Sequence, residues 1–310
     1  MPKPRNDLID RLQYVGLRLA AMAMHSWPVS LNLAVARSLG DVMYRFDRRH
    51  RERALANLSR SFPGLPPRQH HAIARESMRQ LFMLGVEVIF TTRLVRLDTI
   101  GRHFDLGDLR ESLSLLLKRD QGLIMLTGHY GNWEVLGYAL ATLGFETTSI
   151  ARPLDNPHVN EFVLGVRERK GQRIIAKKGA TEEVTAVLER HGAVGFIADQ
   201  NAGPKGMFVD FFGRKASTYK SIGLLAMQYD VPVVVGYARR LPGQAFRFQL
   251  GTQDIIYPAD WKSQDDPLRY ITQRYTRAIE QMVRDDPGQY LWVHRRWKTR
   301  PKGEPPEAYD

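Results

Sequence analysis

The 310-residue chain contains no cysteine, which excludes disulfides and thiolate metal sites and is consistent with a reducing compartment. It also lacks an uninterrupted 18-residue apolar run. The apolar stretches near the amino terminus are broken by Arg18, His25, Ser26, Pro28 and Asn32, so a transmembrane helix is not expected there. No cleavable secretory signal is expected, because no short apolar core followed by a small-residue cleavage site stands out. The Gly-x-Ser-x-Gly elbow of serine esterases and the His-Glu-x-x-His spacing of zinc proteases are missing. The arginine run from Arg45 to Arg53 comes without helix-turn-helix grammar, zinc-finger spacing or an RNA-binding aromatic signature, so no nucleic-acid partner is expected. Acidic residues are in short supply, 33 against 45 basic ones, giving a formal charge of +12. That excess points to anionic partners such as an acidic carrier protein or an anionic membrane surface.

What is present is a globular composition, 43% hydrophobic and 25% charged, with ample length to bury a core. Half of the charge excess falls in residues 1–60, where eleven Lys/Arg face five Asp/Glu. There Leu8, Ile9, Leu12, Val15, Leu19, Met22 and Ala23 recur at helical spacing, with Arg11 and Arg18 on the remaining surface. An amphipathic helix lying in the interface of an anionic bilayer fits this pattern, and the competing reading is a core-packing helix of a soluble domain. Helices are also predicted over 47–60 and, after the Leu65-Pro66-Pro67 breaker, over 69–94, the latter with Ile73, Met78, Leu81, Phe82, Leu84, Val88 and Ile89 inward. Residues 1–98 are thus expected to form a helical, membrane-associated region, and 99–310 an α/β domain.

From about residue 100 the grammar changes to short apolar strands alternating with helices. Strands are predicted at 122–127, 145–151, 173–176, 193–198 and 231–239, with helices at 106–119, 134–143, 157–170, 180–190 and 219–229. This alternation implies an α/β fold with a mostly parallel central sheet flanked by helices, whose ligands gather beyond the carboxyl ends of the strands.

The first of those strands runs directly into Gly128-His129-Tyr130-Gly131-Asn132-Trp133-Glu134. Residues five apart on one helix lie roughly 140° around its axis, so His129 belongs in the turn and Glu134 in the helix after it. In that arrangement the imidazole points into the cleft while the Glu134 carboxylate swings back to its other nitrogen, the way a general base is oriented. Backbone N–H groups at the helix start are candidates to receive a developing negative charge. A lone His beside a Gly is often merely structural; it is the surrounding aromatic and amide residues and the downstream groups that favour a catalytic role.

Further polar residues fall near other strand ends. Arg152 and Asn156 follow the second strand, Asp199 and Gln200 follow the fourth, and Arg167 lies on the helix between. A guanidinium there suits phosphate or carboxylate recognition, and Asp199 either orients a partner or caps a turn. The aromatics of 207–215 are candidates to wall an acyl groove, although such clusters are more often ordinary core. Trp292 to Lys298 pairs aromatics with cations, a combination suited to an interface or a phosphate-bearing ligand.

Together these segments resemble the bacterial lipid A biosynthesis acyltransferases, the late lauroyl and myristoyl transferases of the lysophospholipid acyltransferase-like superfamily. The resemblance runs from Leu39-Gly40 to Lys298. It takes in Asn57-Leu58 with Phe62-Pro63, the His129 to Glu134 block, Arg152-Pro153 with Asn156, Asp199-Gln200, Phe211-Phe212-Gly213 and the closing Trp292 to Lys298 segment. It implies transfer of a fatty acyl group from an acyl carrier protein (or CoA) thioester to a hydroxyl of a lipid A precursor or related glycolipid, at the cytoplasmic face of the inner membrane. It further implies His129 as general base and Glu134 as its orienting partner, with Arg152 and Asp199 at matching positions, and no metal or organic cofactor; Arg152, Asn156, Arg167, Asp199 and Gln200 are the candidate substrate-binding residues. The family commonly carries a more continuously apolar amino-terminal anchor than this chain. Acceptors of another kind, a mannosylated inositol lipid or an aminolipid, and an ester hydrolase using the same His/Glu pair are the alternatives.

Overall fold

The computed structural model describes residues 6–176 and 179–305. Four helices come first. α1 (Asp7–His25) starts where the Asn6 side chain accepts from the Leu8 and Ile9 N–H groups, and Pro28 separates it from α2 (Val29–Phe46). Asp47 caps α3 (Arg48–Ser61), and Pro67 opens α4 (Pro67–Leu94) at a position where its missing N–H costs nothing. None of the described helices is long and apolar enough to cross a membrane.

The alternating part follows: α5 (Ile100–His103), β1 (Phe104–Leu106), α6 (Arg110–Lys118), β2 (Leu123–Thr127), α7 (Trp133–Thr142), β3 (Thr147–Ala151), α8 (Pro157–Glu168), β4 (Arg173–Ala176), α9 (Ala180–Glu189) and β5 (Ala193–Ile197). After a hairpin of β6 (Met207–Phe211) and β7 (Arg214–Thr218) come α10 (Ser221–Tyr229), β8 (Val233–Arg240), β9 (Phe248–Ile256), α11 (Pro258–Lys262) and α12 (Pro267–Asp285). Among the described residues the main sheet has the order β1-β9-β8-β2-β5-β3-β4. The run from β8 through β4 is parallel, as the alternation predicts; β9 is antiparallel to β8, and β1 parallel to β9.

The helical region and the sheet share a core: Ala54, Leu58 and Ala74 belong to the same buried cluster as Ile124, Val194 and Val235. On α4 the inward face differs from the expected one. Glu87 is buried while Leu81 is exposed, because Glu87 meets Arg240 on β8 in an ion pair at 2.6 Å. Of the two readings of the 207–215 aromatics, the core one holds: Phe211 and Phe212 pack against Trp292, Trp297 and Phe62. Phe212 and Gly213 both take positive φ at the tip of the hairpin, as its two-residue turn demands. The Trp292 to Lys298 segment is likewise mostly interior. Trp292, Arg296 and Trp297 are buried, and Arg296 donates to the Ser217 carbonyl and Thr218 Oγ1, both at 2.6 Å.

Candidate active site

The register of two strands builds the site. β2 and β5 are parallel neighbours with Leu123 opposite Ala193 and Thr127 opposite Ile197, and the Ala198 N–H continues the ladder to the Thr127 carbonyl at 2.9 Å. Two residues past each strand end, His129 and Asp199 stand side by side. Asp199 Oδ2 accepts from the His129 backbone N–H at 2.8 Å, and Oδ1 lies 2.7 Å from Nδ1. That bond places the ring proton on Nδ1 and leaves Nε2 as an acceptor. Asp199 is buried; burial works against its charge, but the adjacent His129 and the hydrogen bonds it donates hold the carboxyl well below the usual carboxylate range.

The turn that carries His129 is clamped from three sides. Its carbonyl accepts from the Leu291 N–H at 3.0 Å, Gly131 donates to the Gln289 carbonyl at 3.0 Å, and Asn132 donates to the Ala238 carbonyl at 2.8 Å. Gly131 has φ +60°, and a Cβ there would sit 2.1 Å from the Ala238 oxygen, so only glycine fits. Asn132 caps α7 through the Val135 N–H and donates from Nδ2 to Glu87 Oε2 at 2.7 Å. Arg240, paired with Glu87, donates to the Gly131 carbonyl at 3.0 Å. A buried Glu87–Arg240 pair with these extra hydrogen bonds therefore fixes the turn to α4 and β8.

The expected His129–Glu134 pairing is not what forms. Glu134 begins α7 facing α8, where Arg167 grips both carboxylate oxygens at 2.6 and 2.7 Å and Trp133 Nε1 adds a donor at 3.2 Å. Asp199 takes the ring nitrogen instead, because β5 lies beside β2 and delivers it in register. The backbone N–H groups of His129, Gly131 and Asn132 are likewise spent on Asp199, Gln289 and Ala238, which removes them as oxyanion donors. Asn156 is also committed elsewhere. Its Oδ1 caps α8 by accepting from His158 and Val159, and its Nδ2 donates to the Asp10 carbonyl and Gln13 Oε1 on α1. Arg152 lies on the surface with Asp155 at 3.8 Å. Gln200 does reach the site, its Nε2 standing 3.5 Å from His129 Nε2.

The sequence reading passed over His294. Its ring packs edge-on against His129 with centroids 4.4 Å apart, while Trp133 packs on His129 at 4.7 Å. Burial, and then electrostatic interaction with His129, bring the His294 imidazole down to about 4, against the pull of Asp199. It sits inside a segment singled out for its aromatic and cationic residues, but no spacing along the chain ties residue 294 to residue 129. Among the described residues His129, Asp199 and His294 are the one group whose ligand-type atoms gather within 4.8 Å. Both Asp199 oxygens already accept from His129, so the trio is arranged as a hydrogen-bonded pair with a neutral neighbour.

Trp133, Glu134 and Arg167 also line a cavity of about 130 Å³ that runs between α6, α7 and the sheet. The rest of its wall is largely apolar, with Leu113, Leu116, Met125, Leu140 and Phe196 among its residues. Trp133 therefore touches the His129 ring and the cavity at once.

A base-and-carboxylate pair beyond the carboxyl ends of parallel strands, next to an apolar cavity, is the arrangement of an α/β enzyme acting on a substrate with an apolar chain. The family model described as bacterial lipid A biosynthesis acyltransferase matches residues 6–299, and the chain belongs to that family and is an acyltransferase. Among its relatives, the lipid A biosynthesis palmitoleoyltransferase of Escherichia coli K12 is 25% identical over 86% of this chain and 84% of that protein. The lipid A biosynthesis myristoyltransferase of the same organism is 27% identical over 93% of this chain and 88% of its own length. The lauroyltransferase is 23% identical over 86% and 85%.

Proposed function

We propose that the protein moves a fatty acyl group from an acyl carrier protein thioester to a hydroxyl of a lipid A precursor, with His129 as the general base. His129 Nε2 takes the hydroxyl proton as the oxygen attacks the thioester carbonyl carbon. Asp199 keeps the other ring proton on Nδ1 and offsets the charge that appears on the ring. The tetrahedral intermediate collapses by breaking the C–S bond, and the imidazolium returns its proton to the departing thiolate. Gln200 Nε2, beside the base, is the donor for the oxyanion. The acyl chain lies in the apolar cavity, with the Glu134–Arg167 pair forming its polar edge. The observation that carries this reading is Trp133, which joins a carboxylate-held imidazole to an apolar cavity in a chain of this family.

Membrane association at the cytoplasmic face of the inner membrane belongs to the same proposal. On α1, Leu8, Leu12, Val15, Leu19 and Met22 are exposed; on α2, so are Leu31, Val35, Leu39, Val42 and Phe46. Apolar surface on that scale suits a lipid boundary, and the +12 charge suits both an acidic carrier and an anionic leaflet.

The test supplies purified protein with a labelled acyl carrier thioester and a panel of lipid fractions, and follows acyl mass by mass spectrometry. A lipid A precursor gaining one acyl group is the expected result. Free fatty acid accumulating at the same rate with and without lipid would overturn the transferase reading in favour of a hydrolase.

A further inference from the structure

A second cavity, of about 540 Å³, lies between α1, α4 and α8, and none of its residues lines the acyl cavity. Its wall includes Arg18 and Tyr14 from α1, Thr92 from α4, and Glu161 and Arg169 from α8 and its carboxyl end. Arg93 donates to the His25 carbonyl, while Arg11 is consumed by Asp7 and Arg167 by Glu134. Arg18 and Arg169 are not: among the described residues neither has an ion-pair partner. Arg18 spends one N–H on Tyr14 Oη at 2.9 Å and lies 5.8 Å from the centroids of the Tyr14 and Phe162 rings. His25, also in the wall, has its Nδ1 buried with no hydrogen-bond partner. The pocket is held in shape by Asn156, which ties α8 to the Asp10 carbonyl and Gln13 of α1.

We propose that this pocket binds the phosphodiester headgroup of a bilayer phospholipid. Two guanidinium groups and two hydroxyls around one opening are the donors a phosphate takes. Among the wall's side chains of fixed charge, Glu161 offsets one of the two guanidinium groups, and the net charge of one matches a singly charged diester better than a doubly charged monoester. The source is a membrane lipid because of where the pocket lies on α1. At about 100° per residue, Arg18 stands roughly 80° around the helix from the middle of the exposed Leu8–Leu12–Val15–Leu19–Met22 stripe. With that stripe at the hydrocarbon boundary, this shoulder of the helix lies at headgroup depth. The inference rests on the membrane-facing reading of α1 and is independent of the acyl-transfer chemistry.

Co-sedimentation with vesicles of phosphatidylcholine alone, and with one part phosphatidylglycerol to four of phosphatidylcholine, tests it. The double variant Arg18→Ala/Arg169→Ala is expected to lose tenfold or more of its affinity for the phosphatidylglycerol vesicles, since each basic side chain near such a surface matters on that scale, and Glu161→Gln is expected to gain. A charge-matched control, Arg190→Ala/Lys262→Ala, removes the same charge from the end of α9 and from α11. An equal loss in the control would reduce the effect to general electrostatics and overturn the proposal. Release of wild-type protein by millimolar inorganic phosphate at constant ionic strength would overturn the lipid source in favour of a free anion. Acyl transfer in neutral-detergent micelles is expected to match wild type in the double variant. A raised acceptor KM there, with vesicle binding unchanged, would assign the pocket to the acceptor and refute the phospholipid. Failure of the wild-type protein itself to transfer acyl groups would count against the proposed function and leave the vesicle result standing.

Discussion

The amino-terminal helices and the strand-end site invert each other's relation to solvent. On α1 and α2, Leu12, Leu19 and Phe46 are 61%, 60% and 74% exposed, whereas around the His129 turn Glu87, Asn132 and Asp199 are at most 2% exposed. Those three side chains are matched by charge or hydrogen bonds, as burial requires. The exposed leucines have no protein partner over much of their surface, as expected where a second solvent, lipid, takes water's place. Polarity alone therefore predicts the depth of neither region; what decides it is which partners the fold brings to each group.

The sharpest break of that comparison lies in the two acids around His129. Asp199→Asn or His129→Ala is expected to lower kcat by roughly a hundredfold to ten-thousandfold, because the amide of Asn cannot hold the ring in the same tautomer. Glu134→Gln, which loosens Arg167 and leaves the imidazole held, is expected to cost no more than about tenfold. Steady-state transfer assays decide it, and equal losses for Asp199→Asn and Glu134→Gln would contradict the assignment of Asp199 to the ring. Next in size is the buried pair behind the turn. Glu87→Ala leaves Arg240 charged and unmatched, with an expected loss of about 3–5 kcal/mol in urea unfolding, and Glu87→Leu/Arg240→Met should recover much of it.

A smaller effect comes from His294. Its imidazole is neutral in the folded protein down to about pH 4, while in the unfolded chain it takes a proton near pH 6.5. Between those values the unfolded state binds more protons, so stability falls as pH falls, by about 2–3 kcal/mol over the window. His294→Gln is expected to flatten that slope in denaturation series between pH 6.5 and 4, and an unchanged slope would refute it. Smallest in stability is Leu12→Ser with Leu19→Ser on the exposed stripe, expected within about 0.5 kcal/mol of wild type. Vesicle binding should nevertheless weaken clearly, and a large loss of Tm would mean that the stripe is packed against protein.

Much of the fold was legible because its signals are local. Alternating short apolar runs and helices gave five parallel strands close to their observed bounds, and Pro28, Asp47 and Pro66-Pro67 mark the helix breaks. The strand and helix expectations from the sequence end at Arg239, although Ile271, Tyr275, Ala278, Ile279 and Met282 recur at helical spacing along α12. On α4 the periodicity pointed Leu81 inward, and it did not foresee Glu87, whose burial depends on Arg240 some 150 residues away.

The sequence by itself determined the class of fold, the placing of His129 in a Gly-bounded turn after a strand, the amphipathic stripe of α1 and the surplus of positive charge, because each is written in neighbouring residues and in steric rules of short range. Only the tertiary structure decided which carboxylate holds the imidazole. Asp199 is 70 residues from His129 along the chain and meets it because β5 lies next to β2 in parallel register, a neighbour relation that sheet order sets and chain spacing does not record.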